Sequence, residues 1–204
     1  MVKAIIVGLN EWEKFTLPML NSAKKNDHEL RLYLVDSGSA QPYPQVSGVN
    51  LIRNKQKDSY AAGLNLGIKN AGEADWYVLI NNDTLIDKPI TKRIEKLDPN
   101  ALYGFFIRES RDDLFPWSYL SSWCYFLSRQ VWEKIGAFDE NCRPLYFEDA
   151  DYTMRCMKEG IRITLLSRED WGIQHLEDAK HPERKDGFKA RPELRKYILA
   201  KHGF

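Results

Sequence analysis

The stretch YAAGLNLGIKNAGEADWYVLINNDT, residues 60–84, contains the pattern that decides the fold. Its first half carries apolar side chains at the three- and four-residue spacing of one helix face; they are Tyr60, Leu64, Ile68 and Ala71. Gly72 follows at a position where helices commonly end. Residues 76–80, WYVLI, form a continuous apolar run typical of a strand buried on both faces. The stretch therefore predicts a helix and then a buried strand, which ends at the polar residues 81–84.

The same alternation extends toward the N-terminus. Apolar runs at residues 3–7, 30–35 and 50–53 predict three earlier strands. Pro18 predicts the first turn of a helix after the first strand, since proline is tolerated there. Strands that alternate with helices predict an α/β domain with a mostly parallel central sheet flanked by helices. In such sheets ligands bind beyond the carboxyl ends of the strands.

The second half of the chain is less regular. Apolar spacing predicts helices near residues 90–97, 131–135 and 192–201, and strands at residues 102–107, 125–128 and 161–166. Residues 109–123, between two of these strands, are rich in aromatic and charged side chains, and we interpret them as a loop over the active site.

Composition and charge exclude several classes of protein. A chain of 204 residues suits one sizeable domain, and a net charge of +1 gives no overall attraction to nucleic acid or to anionic membranes. The three cysteines, never spaced C-x-x-C, argue against a disulfide framework or a thiolate zinc site and indicate a reducing compartment. No apolar run approaches the roughly 18 residues of a membrane span, and the first run is too short for a signal peptide. We therefore expect a soluble, cytoplasmic protein.

An acidic cluster lies at the start of another predicted helix. Glu148, Asp149 and Asp151 fall in or just before its first turn, and Arg155 follows Asp151 by four residues. Helix capping accounts for one acid there, but three neighbouring carboxylates repel one another and raise one another's pKa. Such crowding is typical of sites where a carboxylate binds a cation or takes a proton. The cluster therefore favours a functional site over simple capping.

These acids also carry a family resemblance. Residues 136–140, GAFDE, and 146–151, YFEDAD, together with Arg155, resemble the G-x-F-D-E…E-D-x-D…R signature of family 2 glycosyltransferases. The resemblance implies a GT-A fold and an inverting transfer of a sugar from a nucleotide-sugar donor to an acceptor hydroxyl. It implies Asp149 as the general base, because such a transfer needs a carboxylate that removes the hydroxyl proton. Glu148 would assist the base or bind the acceptor.

The resemblance also implies a metal site. Asn81-Asn82-Asp83 occupies the place of the family's D-x-D motif, which makes Asp83 the carboxylate ligand of Mn²⁺ or Mg²⁺. His175 matches a late histidine of the family and is assigned to the metal or the diphosphate. Turn chemistry after a strand is the structural alternative for the first motif, and an ordinary polar role is the alternative for His175.

Other matches are assigned to the donor, a UDP- or dTDP-sugar. Residues 35–39, VDSGS, resemble the family's V-D-x-G-S segment, and residues 57–71 resemble its N-x-G-F-A-x-G-x-N-x-G segment, with Lys57 and Ser59 where Asn and Gly are usual. A lone aspartate before glycine is otherwise a common turn residue. The donor-binding residues predicted in this way are Gly8, Asn10, Asp36, Lys57, Asn65, Asn81 and Asn82.

The acceptor side and the C-terminus complete the interpretation. Residues 1–176 would be the GT-A domain, with a nucleotide-binding half at about 1–87 and an acceptor half at about 88–176. Residues 177–204 would be a basic tail with a short helix, which either is solvated or attracts an anionic acceptor. The acceptor would be a glycan, a lipid-linked sugar or a modified nucleic acid; the side chains predicted to bind it are Trp117, Tyr119 and Asp151.

Two other functions fit part of the pattern. Asn81, Lys57 and Ser59 depart from the family motifs, and a catalytically silent module that binds a nucleotide-sugar or a glycan would tolerate those departures. A sugar-1-phosphate nucleotidyltransferase would need a glycine-rich basic loop after the first strand, and residues 8–12 do not supply one. The glycosyltransferase is the favoured prediction.

Overall fold

The computed structural model describes residues 1–54, 58–176 and 184–204. The strands are β1 Val2–Gly8, β2 Arg31–Ser37, β3 Val49–Asn54, β4 Trp76–Asn81, β5 Thr84–Ile86, β6 Ala101–Gly104, β7 Ile107–Arg108, β8 Tyr119–Leu120, β9 Cys124–Ser128, β10 Arg162–Leu165 and β11 Ile173–His175. The helices are α1 Leu17–Asn26, α2 Tyr60–Ala71, α3 Thr91–Ile94, α4 Arg129–Ile135, α5 Glu148–Lys158, α6 Arg168–Trp171 and α7 Arg184–His202, and a π-helical turn at Trp12–Thr16 precedes α1.

The central sheet has seven strands in the order β10-β6-β9-β4-β1-β2-β3. Neighbouring strands are parallel except at β9, which is antiparallel to both β4 and β6. Two small antiparallel sheets pair β11 with β5 and β7 with β8. The mostly parallel sheet that the sequence predicts is confirmed, and it includes strands from both of the predicted halves.

The middle of the sheet is buried on both faces because helices cover both. All seven residues of β1 are buried, and its apolar side chains from Ala4 to Val7 alternate between two apolar clusters. Ala4 and Ile6 belong to the cluster that includes side chains of α1 and α3, whereas Ile5 and Val7 belong to the cluster that includes side chains of α2, α4 and α5. This two-sided burial explains why the strands read as continuous apolar runs.

Helix α2 has the bounds that the sequence predicts, Tyr60 to Ala71, with Gly72 at its C-terminal end. Ser59, which departs from the family segment, is its N-cap and accepts a hydrogen bond from the amide of Ala62 at 3.1 Å. A Cβ added at Gly67 would overlap the side chain of Ile5. The glycine therefore allows α2 to pack closely on β1, which is a structural role rather than contact with a ligand.

Three elements differ from the sequence expectations. The predicted strand at residues 102–107 is two strands, because the chain leaves the main sheet after Gly104 and β7 pairs with β8 instead. Helix α3 is shorter than the predicted 90–97. Helix α7 begins before the predicted start and contains Pro192; it is held by burial of Leu194 and Ile198 in a third cluster that includes Phe115. Within the described ranges, no helix has both the length and the apolar character needed to cross a bilayer.

Candidate active site

A cavity of about 530 Å³ opens at the edge of the sheet where the parallel strands end. Strands β1, β2 and β4 finish at Gly8, Ser37 and Asn81, and because they are parallel these ends meet at one edge. The opposite wall is formed by residues 144–149, which lead into α5, and by the segment before β9. The position agrees with the general rule for ligand sites in such sheets.

One end of the cavity holds Asp83 and His175. Asp83 lies in the turn between β4 and β5, and β11 pairs with β5 so that His175 lies opposite Thr84. The Nε2 atom of His175 lies 3.2 Å from Oδ1 of Asp83, and the side chains are 11% and 1% exposed. The imidazole stacks on the indole of Trp123, with ring centroids 4.7 Å apart and planes 7° from parallel. The two side chains are therefore held together by the fold before any ligand binds.

This pair suits a divalent cation whose coordination is completed by phosphate oxygens. Among the described residues, no group of three or more His, Cys, Asp or Glu side chains is placed to hold a metal ion by itself. Carboxylate oxygens are ligands for Mg²⁺ and Mn²⁺, and such ions often take one or two protein carboxylates together with substrate phosphates. The donor set of Asp83 and His175 fits that arrangement and does not fit an all-protein metal cage.

The other end of the cavity holds Glu148 and Asp149, in the first turn of α5. The hydroxyl of Ser122 donates to Oε1 of Glu148 at 2.9 Å, and the amide of Ser122 donates to Oδ2 of Asp149 at 3.4 Å. Oε2 of Glu148 is buried without a hydrogen-bond partner among the described residues. One serine thus orients both carboxylates and leaves an acceptor atom available to a ligand.

The electrostatic environment keeps both carboxyl groups close to protonation. Burial raises the pKa of Glu148, and the charge of Asp149 raises it further. Burial also raises the pKa of Asp149, although Arg108 and the amides of Ala150 and Ser122 partly offset this. Raised carboxyl pKa values are typical of groups that exchange protons during catalysis.

The chain enters α5 through two residues in the left-handed region. Tyr146 has a φ of 85° and Phe147, the N-cap of the helix, has a φ of 70°. Bulky side chains rarely adopt this conformation, which costs about 1–3 kcal/mol and occurs most often at ligand sites. Here it places the first turn of α5, with both acids, against the cavity.

Asp151 has a different place from the one predicted. It is fully buried and does not line the cavity. Its carboxylate accepts from Nε of Arg155 at 2.9 Å, as the four-residue spacing predicts, and it also contacts Nζ of Lys201 at 2.7 Å and Nε2 of His202 at 3.0 Å. Its partners lie on the side of α5 that faces α7, which indicates a structural role, and acceptor binding by Asp151 stays a prediction.

Three of the predicted donor-binding residues line the cavity, namely Gly8, Asn81 and Asn82. The amide of Asn82 donates to Oγ1 of Thr16 at 2.9 Å, which fixes its orientation. Oδ1 of Asn81 is buried, with no hydrogen-bond partner in the described part of the chain. These residues stay candidates for contact with the donor.

Asp36 and Asn10 brace a loop next to the cavity and do not line it. The carboxylate of Asp36 accepts from the amides of Ser39 and Tyr43, each at 2.9 Å, and pairs with Arg53. Burial favours the neutral acid, but these hydrogen bonds outweigh it and lower the pKa of Asp36. The amide of Asn10 donates to the hydroxyl of Ser39 at 2.7 Å. These partners give Asp36 a structural role, and its predicted direct contact with the nucleotide stays a prediction.

Asn65 does not line the cavity. The side chain of Asn65 exchanges two hydrogen bonds with the backbone of Phe138, each at 2.9 Å, and so ties α2 to the loop before α5. That contact gives Asn65 a structural role, and its assignment to the donor stays a prediction. Lys57 lies outside the described residues.

The predicted aromatic acceptor surface is only partly present. Trp117 is buried, with its ring 4.7 Å from that of Phe115 and 5.2 Å from that of Phe204, and it does not line the cavity. An open stacking face at Trp117 is therefore contradicted, because the third apolar cluster covers it. Tyr119 does line the cavity, although its side chain is almost fully buried.

The structure brings further residues to the cavity that the sequence patterns did not identify: Tyr60, Arg108, Ser122, Arg168 and Arg191. The chain offers no local signal for Ser122, which contacts acids 26 and 27 positions away. The arginines come from β7, α6 and α7, and their convergence follows only from the tertiary fold.

Solved structures of glycosyltransferases have the same fold. A mannosyltransferase, PcManGT from Pyrobaculum calidifontis in complex with GDP-Man and Mn²⁺, superposes with a TM-score of 0.63 at 17% identity over 81% of this chain and 54% of that one. TarS residues 1–349 from S. aureus in complex with UDP superposes with a TM-score of 0.61 at 18% identity, over 81% of this chain and 57% of that one. GalNAc-T7 with UDP, GalNAc and Mn²⁺ superposes with a TM-score of 0.66 at 12% identity, over 81% of this chain and 42% of that one. The chain thus spans about half the length of these proteins, and the likeness shows the GT-A fold.

Comparison with curated proteins gave no match. The family described as Glycosyl transferase family 2 matches residues 4–153, which is well over half of the chain and includes Asp83, Glu148 and Asp149 but not His175. The protein therefore belongs to glycosyl transferase family 2.

Proposed function

We propose that the protein is an inverting glycosyltransferase that moves a sugar from a nucleotide-sugar donor to an acceptor hydroxyl, with the help of Mn²⁺ or Mg²⁺. The observation that carries the proposal is the arrangement of one cavity, which has a carboxylate and an imidazole at one end and two buried carboxylates at the other. Such a transfer needs one group for the departing diphosphate and another for the attacking hydroxyl.

The end of the cavity next to the sheet would hold the donor. Asp83 and His175 would hold the cation, with phosphate oxygens as its remaining ligands. Such a cation, when bound, neutralises the charge that builds on the leaving nucleoside diphosphate. Gly8 and Asn82 would border the nucleotide; a Cβ at Gly8 would lie 2.7 Å from the hydroxyl of Tyr43, so a larger residue would disturb this wall.

The other end would bind and activate the acceptor. Asp149 would accept the proton of the acceptor hydroxyl while the hydroxyl oxygen attacks the anomeric carbon, because a general base must lie within hydrogen-bond reach of that proton. Ser122 holds this carboxylate through its amide and holds Glu148 through its hydroxyl. Burial and the charge of Asp149 both raise the pKa of Glu148. Glu148 would therefore keep its proton and donate a hydrogen bond to the acceptor.

The donor is a UDP- or dTDP-sugar in this proposal. Two of the structural neighbours were solved with UDP and one with GDP-Man, so guanine belongs in any test. The cytoplasmic location expected from the sequence stays a prediction.

A thermal-shift screen of UDP, dTDP and GDP, with and without Mn²⁺, tests the donor end. A ligand that binds only the folded state stabilises it, by about 2.7 kcal/mol at 100 times its Kd. We expect one nucleotide to raise the melting temperature in Mn²⁺, and Asp83→Ala to remove the effect of Mn²⁺ and to weaken binding at least about tenfold. Asp112→Ala is the matched control, because Asp112 is exposed and does not line the cavity.

Hydrolysis of the matching nucleotide-sugar then tests turnover. Slow release of the nucleoside diphosphate by the wild-type protein would support an enzyme. Tight binding without any turnover, with or without candidate acceptors, would favour a silent nucleotide-sugar-binding module, and the absence of nucleotide binding would refute the proposal altogether.

A further inference from the structure

We propose that Arg108 and Arg191 form an anion-binding subsite at the acceptor end of the cavity, so that the acceptor carries a phosphate or carboxylate group close to the hydroxyl that receives the sugar. The inference rests on the proposed function and names the substrate class for the same site. It depends on where the two arginines lie and on what they contact.

Arg108 faces the cavity from the ribbon of β7 and β8. It lies opposite Tyr119 in the antiparallel register, and directly opposed residues of such a pair project from the same face. Both residues line the cavity. The guanidinium of Arg108 lies 5.5 Å from the ring centre of Phe106, and among the described residues it forms no ion pair. Its charge is thus directed at the cavity and at solvent.

Arg191 reaches the same end from the C-terminal helix. Its guanidinium lies 4.2 Å from the ring centre of Tyr146 and 5.9 Å from that of Phe147, the two residues that immediately precede Glu148. Helix α7 is itself fixed on α5 by contacts of Lys201 and His202. Arg191 therefore lies beside the start of α5, and the helix that carries it is packed against α5.

The third arginine of the cavity lies at the other end. The guanidinium of Arg168 is 4.9 Å from the ring centre of Trp123, the residue on which His175 stacks. Arg168 is thus placed near the proposed diphosphate, where a positive charge is expected in any case. Arg168 also lies 5.6 Å from the ring centre of Phe106, so this ring does not separate it from Arg108. Arg108 needs a separate explanation because it lies opposite Tyr119 and its charge acts on Asp149. Arg191 needs one because it lies against Tyr146 and Phe147, just before Glu148.

Charge balance favours an anionic acceptor over a neutral one. In the described part of the chain neither Glu148 nor Asp149 forms an ion pair, although the charge of Arg108 lowers the pKa of Asp149. The ionised carboxylate of Asp149 repels an incoming anion, and a phosphate or carboxylate beside the accepting hydroxyl would need cations to offset that repulsion. Guanidinium groups bind oxyanions through two parallel hydrogen bonds, which would also fix the hydroxyl near Asp149.

The test uses small probes on the full chain with the donor end filled. The protein is saturated with Mn²⁺ and the nucleoside diphosphate that binds it, and then titrated by NMR or calorimetry with glycerol 3-phosphate, glucuronate and glycerol. We expect one anionic probe to bind at least about tenfold more tightly than glycerol, and the tighter of the two distinguishes phosphate from carboxylate. Arg108→Gln and Arg191→Gln should each weaken that binding about tenfold. Arg111→Gln is the matched control, since Arg111 is on the same loop, pairs with Asp113 and does not line the cavity.

The outcomes separate this inference from the proposed function. Equal binding of the three probes, or anion binding that both variants retain, would overturn the subsite while leaving nucleotide binding intact. If no nucleoside diphosphate binds, the proposed function fails, and the same titrations on the nucleotide-free protein still decide whether the arginines bind an anion. Circular dichroism and the melting temperature of each variant show whether it is folded, and the second arginine variant serves where the first is not.

Discussion

The two sides of the first turn of α5 use the same type of side chain in opposite ways. On the side toward the cavity, Glu148 and Asp149 are buried next to a single serine and have raised pKa values. On the side toward α7, Asp151 is more deeply buried and contacts three basic side chains. A buried acid with a full set of partners holds the structure together, whereas a buried acid without them is held ready for a ligand or a proton.

The difference has a consequence for stability. A carboxyl group whose pKa is higher in the folded state binds protons more tightly there, so the fold loses stability as the pH rises from the ordinary pKa to the raised one, and the full cost is present above the raised pKa. The cavity side of α5 is therefore expected to weaken the fold at neutral pH, and the α7 side is expected to strengthen it. Variants of the two aspartates should separate these effects.

Asp149→Asn is expected to have the largest effect. Loss of a general base typically lowers a rate by about 10²–10⁴-fold, and the amide cannot accept the hydroxyl proton. Affinity for the donor nucleotide should stay within a few-fold, and the melting temperature should stay equal or rise because a buried charge is removed. Transfer rate, nucleotide titration and thermal unfolding measure the three quantities. Transfer at nearly the wild-type rate would remove Asp149 from the mechanism.

Asp151→Asn is expected to act on stability instead. Removal of one partner from a buried ion-pair network leaves the remaining charges uncompensated and costs about 3 kcal/mol. Urea unfolding should show this loss, while the activity per folded molecule should change by only a few-fold because Asp151 does not line the cavity. Asp113→Asn is the matched control, since Asp113 pairs with Arg111 at the surface and its loss should leave stability unchanged. Unchanged stability of Asp151→Asn together with lost transfer would reverse the comparison.

The same contrast shows how far the sequence could predict the site. Asp36 lies at the end of β2 and Asp83 just after β4, at the same sheet edge, and their local sequences are equally polar. The structure shows that Asp36 is paired with Arg53 and with its own loop, whereas Asp83 faces His175. Which partner reaches a carboxylate depends on residues distant in the chain, and no local pattern contains that information.

The fold itself was more accessible than the site. Helix α2 and strand β4 follow from spacing and apolar runs, because their burial is set by the local alternation of side chains. The early start of α7 did not follow, since Pro192 favours a helix start and the helix is held by tertiary burial of Ile198. Arg108 and Arg191 were not predicted as site residues for the same reason: an isolated arginine in a sequence looks like a solvated surface residue.

The pH dependence of donor hydrolysis is the prediction with the smallest expected effect: the hydrolysis rate should change about tenfold per pH unit on the acid limb. Asp149 must be ionised to accept a proton, so activity should fall as the pH decreases through its pKa. Because burial raises that pKa, the acid limb should lie above 3.8, the ordinary value for aspartate. Arg108 lowers the pKa of Asp149, so Arg108→Gln should move the limb to higher pH, whereas Arg111→Gln should leave it in place. Water is the acceptor in this assay, so the position of the limb is independent of how Arg108 binds an anionic acceptor. A limb at or below 3.8, or one that Arg108→Gln does not move, would show that Asp149 is not the titrating base of the cavity side.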